Sequence, residues 1–167
     1  MSTFDDEKRM QPYMDVFYKS VGYTLDRSGS CKAYDLIVTN LTQRYKIEEK
    51  YLFNDADYDQ GLIEIIQDIK TGDFGWFYHT GCDFLFWIYC HENRELRPRY
   101  AYCMRWPKVK QYVLDQLGKS KWSKFNLCSD NYGLTLNYPV NWQALLSLKI
   151  ASKIDLAPPE PEEEIPF

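Results

Sequence analysis

Asp35, Glu48 and Lys50 are the residues of this chain whose types and spacing could do chemistry together. They lie in the stretch from Ala33 to Phe53, AYDLIVTNLTQRYKIEEKYLF, which reads as two β-strands joined by a short turn. Strand side chains alternate between faces, so Glu48 and Lys50 point one way and Glu49 points the other. The odd-numbered face of the second strand carries Tyr45, Ile47, Tyr51 and Phe53, with Glu49 as its only charge, and the even face carries Lys46, Glu48 and Lys50. In ordinary hairpin pairing Asp35 approaches Glu48, and two carboxylates and an ammonium then meet at one end of a sheet. Hard carboxylate oxygens suit Mg²⁺ or Mn²⁺ and a phosphate substrate. Such an ion lowers the pKa of a bound water and stabilises charge on a phosphoryl oxygen. A lysine beside it can orient the water and hold the phosphate. The same three residues would also make an ordinary cross-strand ion pair on a solvated face, so the elements around them decide between the two readings.

Upstream, Phe4 to Ser20 reads as a helix, because Met10, Tyr13, Met14, Phe17 and Tyr18 recur at helical spacing. Gly22 ends it and Tyr23-Thr24-Leu25 begins a short strand. Downstream, the spacing of Leu62, Ile65, Ile66 and Ile69 predicts an amphipathic helix over Tyr58 to Lys70. Phe74 to His79 is expected as a short strand. Asp83 to Cys90, DFLFWIYC, is expected as a central strand buried on both faces. Arg99 to Met104 is a further strand, and Trp106 to Leu117 a helix with Pro107 in its first turn. Tyr132 to Tyr138 reads as a strand, and Pro139-Val140-Asn141 leads into a last helix ending near Ile150 or Ile154. This alternation predicts an α/β domain with a mixed sheet flanked by helices.

The 167 residues suit one domain, and 45% hydrophobic content is enough for its core. No run of about 18 apolar residues predicts a membrane span. The polar, acidic start MSTFDDEKRM is unlike a signal peptide. Five cysteines without a C-x-x-C pair argue for reduced thiols and a cytoplasmic location. Cys82, Cys90 and His91 have the wrong spacing for common zinc modules and read as buried thiols with a neighbouring polar residue. The formal net charge of −4 speaks against non-specific nucleic-acid binding by the whole surface. Much of that charge sits at the C-terminal end, in Asp155, Glu160, Glu162, Glu163 and Glu164, and the remaining near-neutral body can still carry a basic groove. Lys119, Lys121 and Lys124 interleaved with Trp122, together with Arg99, are candidates for DNA contact by phosphate pairing and base stacking.

With the first helix, YTLDR, AYDLIVT, YKIEEKYLF, DYDQGLIEIIQDIK and DFLFWIYC in this order, the chain resembles the PD-(D/E)XK nuclease superfamily, which includes restriction endonucleases and Holliday-junction resolvases. The resemblance covers roughly residues 4 to 90. Asp35 matches the motif aspartate and Glu48-x-Lys50 the (D/E)-x-K element, with Tyr34 where proline is common. It implies a core of one helix, three strands, a helix and a fourth strand within residues 1–154. It also implies metal-dependent phosphodiester cleavage of DNA, with Asp35 and Glu48 on Mg²⁺ or Mn²⁺ and Lys50 orienting the attacking water. Members often carry a further acid on the first helix, here Glu7 or Asp15, and some place a polar side chain on the helix after the motif, here Gln60, Glu64 or Gln67. Resolvases and restriction enzymes are often dimers, so a homodimer is a further expectation. Trp76, His79 and Asp83 could add a substrate or metal contact, but a packed Trp, a polar loop residue and a strand-starting Asp are their plainer readings.

Residues 155–167 form an acidic C-terminal tail whose prolines and acids predict an extended arm. Its last residues, Glu162, Glu163, Glu164, Ile165, Pro166 and Phe167, closely resemble the acidic tip of bacterial single-stranded-DNA-binding proteins, which docks a terminal Phe on replication and repair enzymes. The commoner role of an acidic terminus is a solubilising one. Two functions follow: a DNA endonuclease recruited through this tip, or a non-enzymatic phage or plasmid interaction protein on a nuclease-like scaffold. They differ in whether Asp35, Glu48 and Lys50 converge.

Overall fold

The computed structural model describes residues 4–31, 33–91, 97–119, 124–130 and 133–156. Helix α1 spans Phe4–Ser20, with Asp5, Asp6 and Glu7 in its first turn and Lys19 in its last, complementing the helix dipole. Its buried stripe is Met10, Met14 and Tyr18. Gly22, at φ 88°, takes the left-handed backbone that ends the helix.

Strands β1 (Thr24–Asp26), β2 (Leu36–Thr39) and β3 (Arg44–Phe53) then form an antiparallel meander. β6 (Phe84–Cys90) lies beside β3 in parallel, β7 (Pro98–Arg105) pairs antiparallel with β6, and β10 (Ala151–Asp155) closes the far edge. This gives a six-stranded mixed sheet in the order β1-β2-β3-β6-β7-β10. α1 covers one face, packing Met10, Met14 and Tyr18 against Leu36, Val38, Ile47, Phe86, Ile88 and Ala101.

Four segments depart from the sequence expectation. Residues Gln60–Asp68 are strand β4, not a helix. The isoleucines Ile63, Ile65 and Ile66 are β-branched and suit a strand, and Gly61 within the segment disfavours a helix. Phe74 to His79 is not one strand: β5 is only Asp73–Phe74, and Trp76–His79 turns as the short helix α2. Pro139, Val140 and Asn141 continue strand β9 (Gly133–Asn141) instead of leading into a helix. The last helix, α4, stops at Trp142–Ser147, capped by Asn141, whose side chain accepts from the Ala144 N–H, and β10 follows it.

The Leu156 N–H still bonds the Arg99 carbonyl, so the edge pairing runs one residue past Asp155. β4, β5, β9 and β8 (Asn126–Asp130) make a second, four-stranded antiparallel sheet in the order β5-β4-β9-β8. Its Ile63, Ile65, Tyr138 and Val140 face Leu85, Tyr89, Tyr102 and Met104 of the large sheet. α3 (Trp106–Leu117), with Pro107 in its first turn, and α4 complete this core through Trp106, Val109, Val113, Trp142 and Leu145. The architecture is thus a central mixed sheet with α1 on one face and a small sheet with three helices on the other.

Gly61 marks how close the two layers come. A Cβ there would lie 2.5 Å from Trp142 Cζ2. Trp142 has no room to yield, being stacked on Tyr102 at 4.3 Å and donating its indole N–H to the Tyr89 hydroxyl at 3.0 Å. Gly61→Ala is therefore expected to lower stability by about 1–3 kcal/mol, read as a reduced urea midpoint with an unchanged slope.

Candidate functional site

Asp35 sits just before β2, and its N–H donates to the Ile47 carbonyl at 2.8 Å. One step on from the Leu36–Ile47 pair, it faces Glu48 across the meander. Its Oδ2 accepts the Glu49 N–H at 2.7 Å, so the backbone of β3 itself fixes this carboxylate. Glu48 and Lys50 share the face of β3 that meets the small sheet. Lys50 Nζ lies 2.5 Å from Glu48 Oε1, and the Lys50 ammonium stands over the Trp76 ring, 5.4 Å from its centroid. The structure therefore brings the three predicted residues together.

The plainer alternative, an ion pair on a solvated face, does not describe Glu48, which is only 5% exposed on the side that the second sheet and its helices cover. Burial raises the Glu48 pKa, Lys50 pulls it back, and the neighbouring carboxylates of Asp35 and Glu49 push it up again. Burial works against the Lys50 charge, but the ion pair with Glu48 outweighs it, helped by the fields of Asp35 and Glu7, so the Lys50 pKa is raised. Lys50 is thus an ammonium at neutral pH. Glu7, one of the two first-helix acids considered, lies in the field of Lys50.

Asp15, the other, belongs to a different network. It accepts from Arg27 Nη2 at 2.7 Å and from Arg27 Nε at 3.0 Å. Arg27 Nη1 also donates to Glu49 Oε2 at 3.0 Å. Glu49 receives two more donors, the Tyr18 hydroxyl at 3.1 Å and the Tyr51 hydroxyl at 2.9 Å. Glu49, read from sequence simply as pointing away, is the centre of this buried cluster, and its own N–H holds Asp35. The signal was its position as the lone charge on an apolar face, since a buried charge needs partners. Burial raises its pKa, and Arg27 and Tyr51 offset only part of that.

Gln60, Glu64 and Gln67 lie on β4, not on a helix. Glu64 Oε1 accepts the Trp76 N–H at 3.2 Å. Asp83 stands just before β6 and leads into it: its Oδ2 accepts the Lys46 N–H and its own N–H donates to the Lys46 carbonyl, both at 2.8 Å. His79 ends α2 and is exposed. Cys82 and Cys90 are buried free thiols, and burial with the nearby Glu48 charge raises the Cys82 pKa.

Arg99 is held by the Asp57 carboxylate at 3.0 Å and the Asp55 carbonyl at 3.1 Å. Lys119 and Lys124 are exposed, whereas Lys121, Trp122 and the tail residues Glu162, Glu163, Glu164, Ile165, Pro166 and Phe167 lie outside the described residues. Among the described residues no cluster of three or more His, Cys, Asp or Glu side chains could hold a metal, and no helix is long and apolar enough to cross a membrane. The candidate donor set is therefore the Asp35–Glu48 pair.

Asp35 retains Oδ1 beyond its bond to Glu49, and Glu48 retains Oε2 beyond its ion pair with Lys50. Two carboxylates in mutual repulsion at a buried site, with one ammonium beside them, suit a hard divalent cation that keeps most of its waters. Comparison with known proteins returns no matching family model, no similar curated protein and no similar solved structure.

Proposed function

We propose that the protein is a divalent-metal-dependent DNA endonuclease of the PD-(D/E)XK type, recruited to replication or repair proteins through its acidic C-terminal tip. The observation that carries this reading is the convergence of Asp35, Glu48 and Lys50 at the β2–β3 pair, with Lys50 held on the Glu48 carboxylate. The meander followed by a parallel strand accords with it. The second core helix that the resemblance implies is a departure: between β3 and β6 stand β4, β5 and the four-residue α2 instead.

Asp35 and Glu48 would hold Mg²⁺ or Mn²⁺, which supplies a more acidic water and charge stabilisation on the phosphoryl oxygen. Lys50 has three ammonium hydrogens, and Glu48 takes one. The others can orient a water and meet a phosphate oxygen. A raised pKa makes Lys50 a donor and a positive charge, not the base. Glu49 and Arg27 hold the strand whose N–H fixes Asp35.

The test is incubation of the purified protein with linear, flapped, branched and single-stranded DNA, with Mg²⁺, Mn²⁺ or chelator. Cleavage that chelator stops supports the proposal, and an uncut panel ends it. Binding is checked separately. Millimolar Mn²⁺ is expected to raise Tm by a few degrees, about what a ligand at 10–100 times its Kd gives a domain of this size. The gain should shrink as pH falls and protons compete for Glu48, whose pKa is raised, and should vanish in Glu48→Ala.

A further inference from the structure

We infer that Trp76 is a positioning residue for Lys50, and that the β4–β5–α2 unit serves to carry this indole to the candidate site. The inference rests on the nuclease reading for its catalytic meaning, and on geometry alone for the contact. Lys50 Nζ has two neighbours that orient it, the Glu48 carboxylate at 2.5 Å and the Trp76 ring face at 5.4 Å. An ammonium within about 6 Å of an indole centroid is attracted to the ring's negative face. The carboxylate alone leaves the ammonium free to swing around one oxygen. The ring removes that freedom and leaves the remaining hydrogens aimed at what enters the site.

Trp76 is itself held firmly. Its ring packs on Trp106 at 5.5 Å and on Trp87 at 6.1 Å, and Trp87 is the residue paired with Lys50 across β3 and β6. Its backbone is pinned to β4: the Gly75 N–H donates to the Ile65 carbonyl at 2.9 Å and the Trp76 N–H to Glu64 Oε1. A Cβ on Gly75 would lie 2.4 Å from the Glu64 carbonyl oxygen, so only glycine lets α2 come this close. The inserted strand, the turn and the indole thus form one rigid arm ending over Lys50.

The test compares Trp76→Leu with Trp76→Phe in the full chain, and reads Lys50 directly. In the wild type the Lys50 ε-methylene protons should resonate upfield through the ring current. Trp76→Leu should move them back towards the value of an exposed lysine, and Trp76→Phe should keep most of the displacement. On a cleaved DNA substrate Trp76→Leu should lose kcat about three- to tenfold, the worth of one cation–π contact, with KM little changed, and Trp76→Phe should recover most of it.

A merely structural Trp76 would lower Tm in both variants without this split. An unchanged Lys50 signal in a folded Trp76→Leu protein overturns the inference, as does an equal kcat loss in both variants. If the wild type cuts no DNA, the nuclease reading fails, while the Lys50 signal still decides whether Trp76 holds this side chain.

Discussion

Glu48→Ala is expected to reduce metal-dependent DNA cleavage by on the order of 10²–10³-fold or more, with the protein still folded. Asp35→Ala and Lys50→Ala should do the same for different reasons. The first two remove a donor from a pair that has no described third carboxylate to replace it. The third removes the ammonium that, in the proposed mechanism, would donate to the phosphate. Lys50→Ala should also lower Tm more than Glu48→Ala, because it leaves a buried carboxylate without its counter-ion, whereas Glu48→Ala removes that carboxylate.

Lys46 provides the control. It is exposed, lies on the same face of β3, and extends over the Tyr34 ring at 5.2 Å. Lys46→Ala should leave kcat within about twofold, as expected of a surface change away from the reacting groups. The readout is single-turnover cleavage of whichever DNA the wild type cuts best, alongside a thermal melt of each variant. Glu48→Ala cutting at the wild-type rate would remove the enzyme reading.

The second large effect lies on the other face of β3. Arg27→Ala should cost about 3–5 kcal/mol of stability, the usual penalty for stranding a buried charge. Glu49 then keeps two tyrosine hydroxyls and no cation, with its side chain only 1% exposed. For a domain of this length the loss is on the order of 10 °C in Tm.

The defect should also depend on pH. A carboxyl whose folded-state pKa lies above its unfolded value binds more protons in the folded chain. Its contribution to stability is fully present below the unfolded value and is lost as pH rises through the folded one. Glu49 is already raised by burial, and removing Arg27 raises it further. The difference between variant and wild type should therefore be small near the ordinary carboxylate range and grow towards neutral pH. Arg27→Ala combined with Glu49→Gln should recover part of the loss at neutral pH. Equal destabilisation at all pH values would mean that Arg27 acts by packing alone.

The motif strands were legible because a strand has a period of two and a hairpin pairs its nearest residues. Asp35 opposite Glu48, and Lys50 beside Glu48, follow from those two rules alone. β4 was misread for a physical reason. Its register shifts between Glu64 and Ile66 against β9, and between Ile66 and Asp68 against β5. Partly buried Leu62 and Ile66 alternate with buried Ile63 and Ile65, so both faces of the strand are apolar, and Leu62, Ile65, Ile66 and Ile69 fall at spacings that a helix would also produce. Gly61 and the run of isoleucines were the contrary signal. The burial of Glu48 was not legible at all, because the layer that covers it is built only when β4 and β5 fold back over β3 and join β9 and β8 from further along the chain. The Arg27 partner of Glu49 was hidden similarly, since a turn residue can reach a strand face only once the sheet has formed.

The parallel pairing of β3 with β6 has a kinetic consequence. Parallel neighbours cannot be joined by a tight turn, and here β4, β5 and α2 all lie between them. The meander holding Asp35, Glu48 and Lys50 can zip from local contacts, but closing the intervening loop must be paid for in chain entropy before its contacts are made. During synthesis the three residues emerge together and remain a wet hairpin edge. Glu48 loses its water, and Lys50 gains its indole, only when the downstream chain has come back to lie on β3. If the proposed chemistry needs a dry, fixed carboxylate, it is withheld from a partly made chain by the order in which its strands can meet.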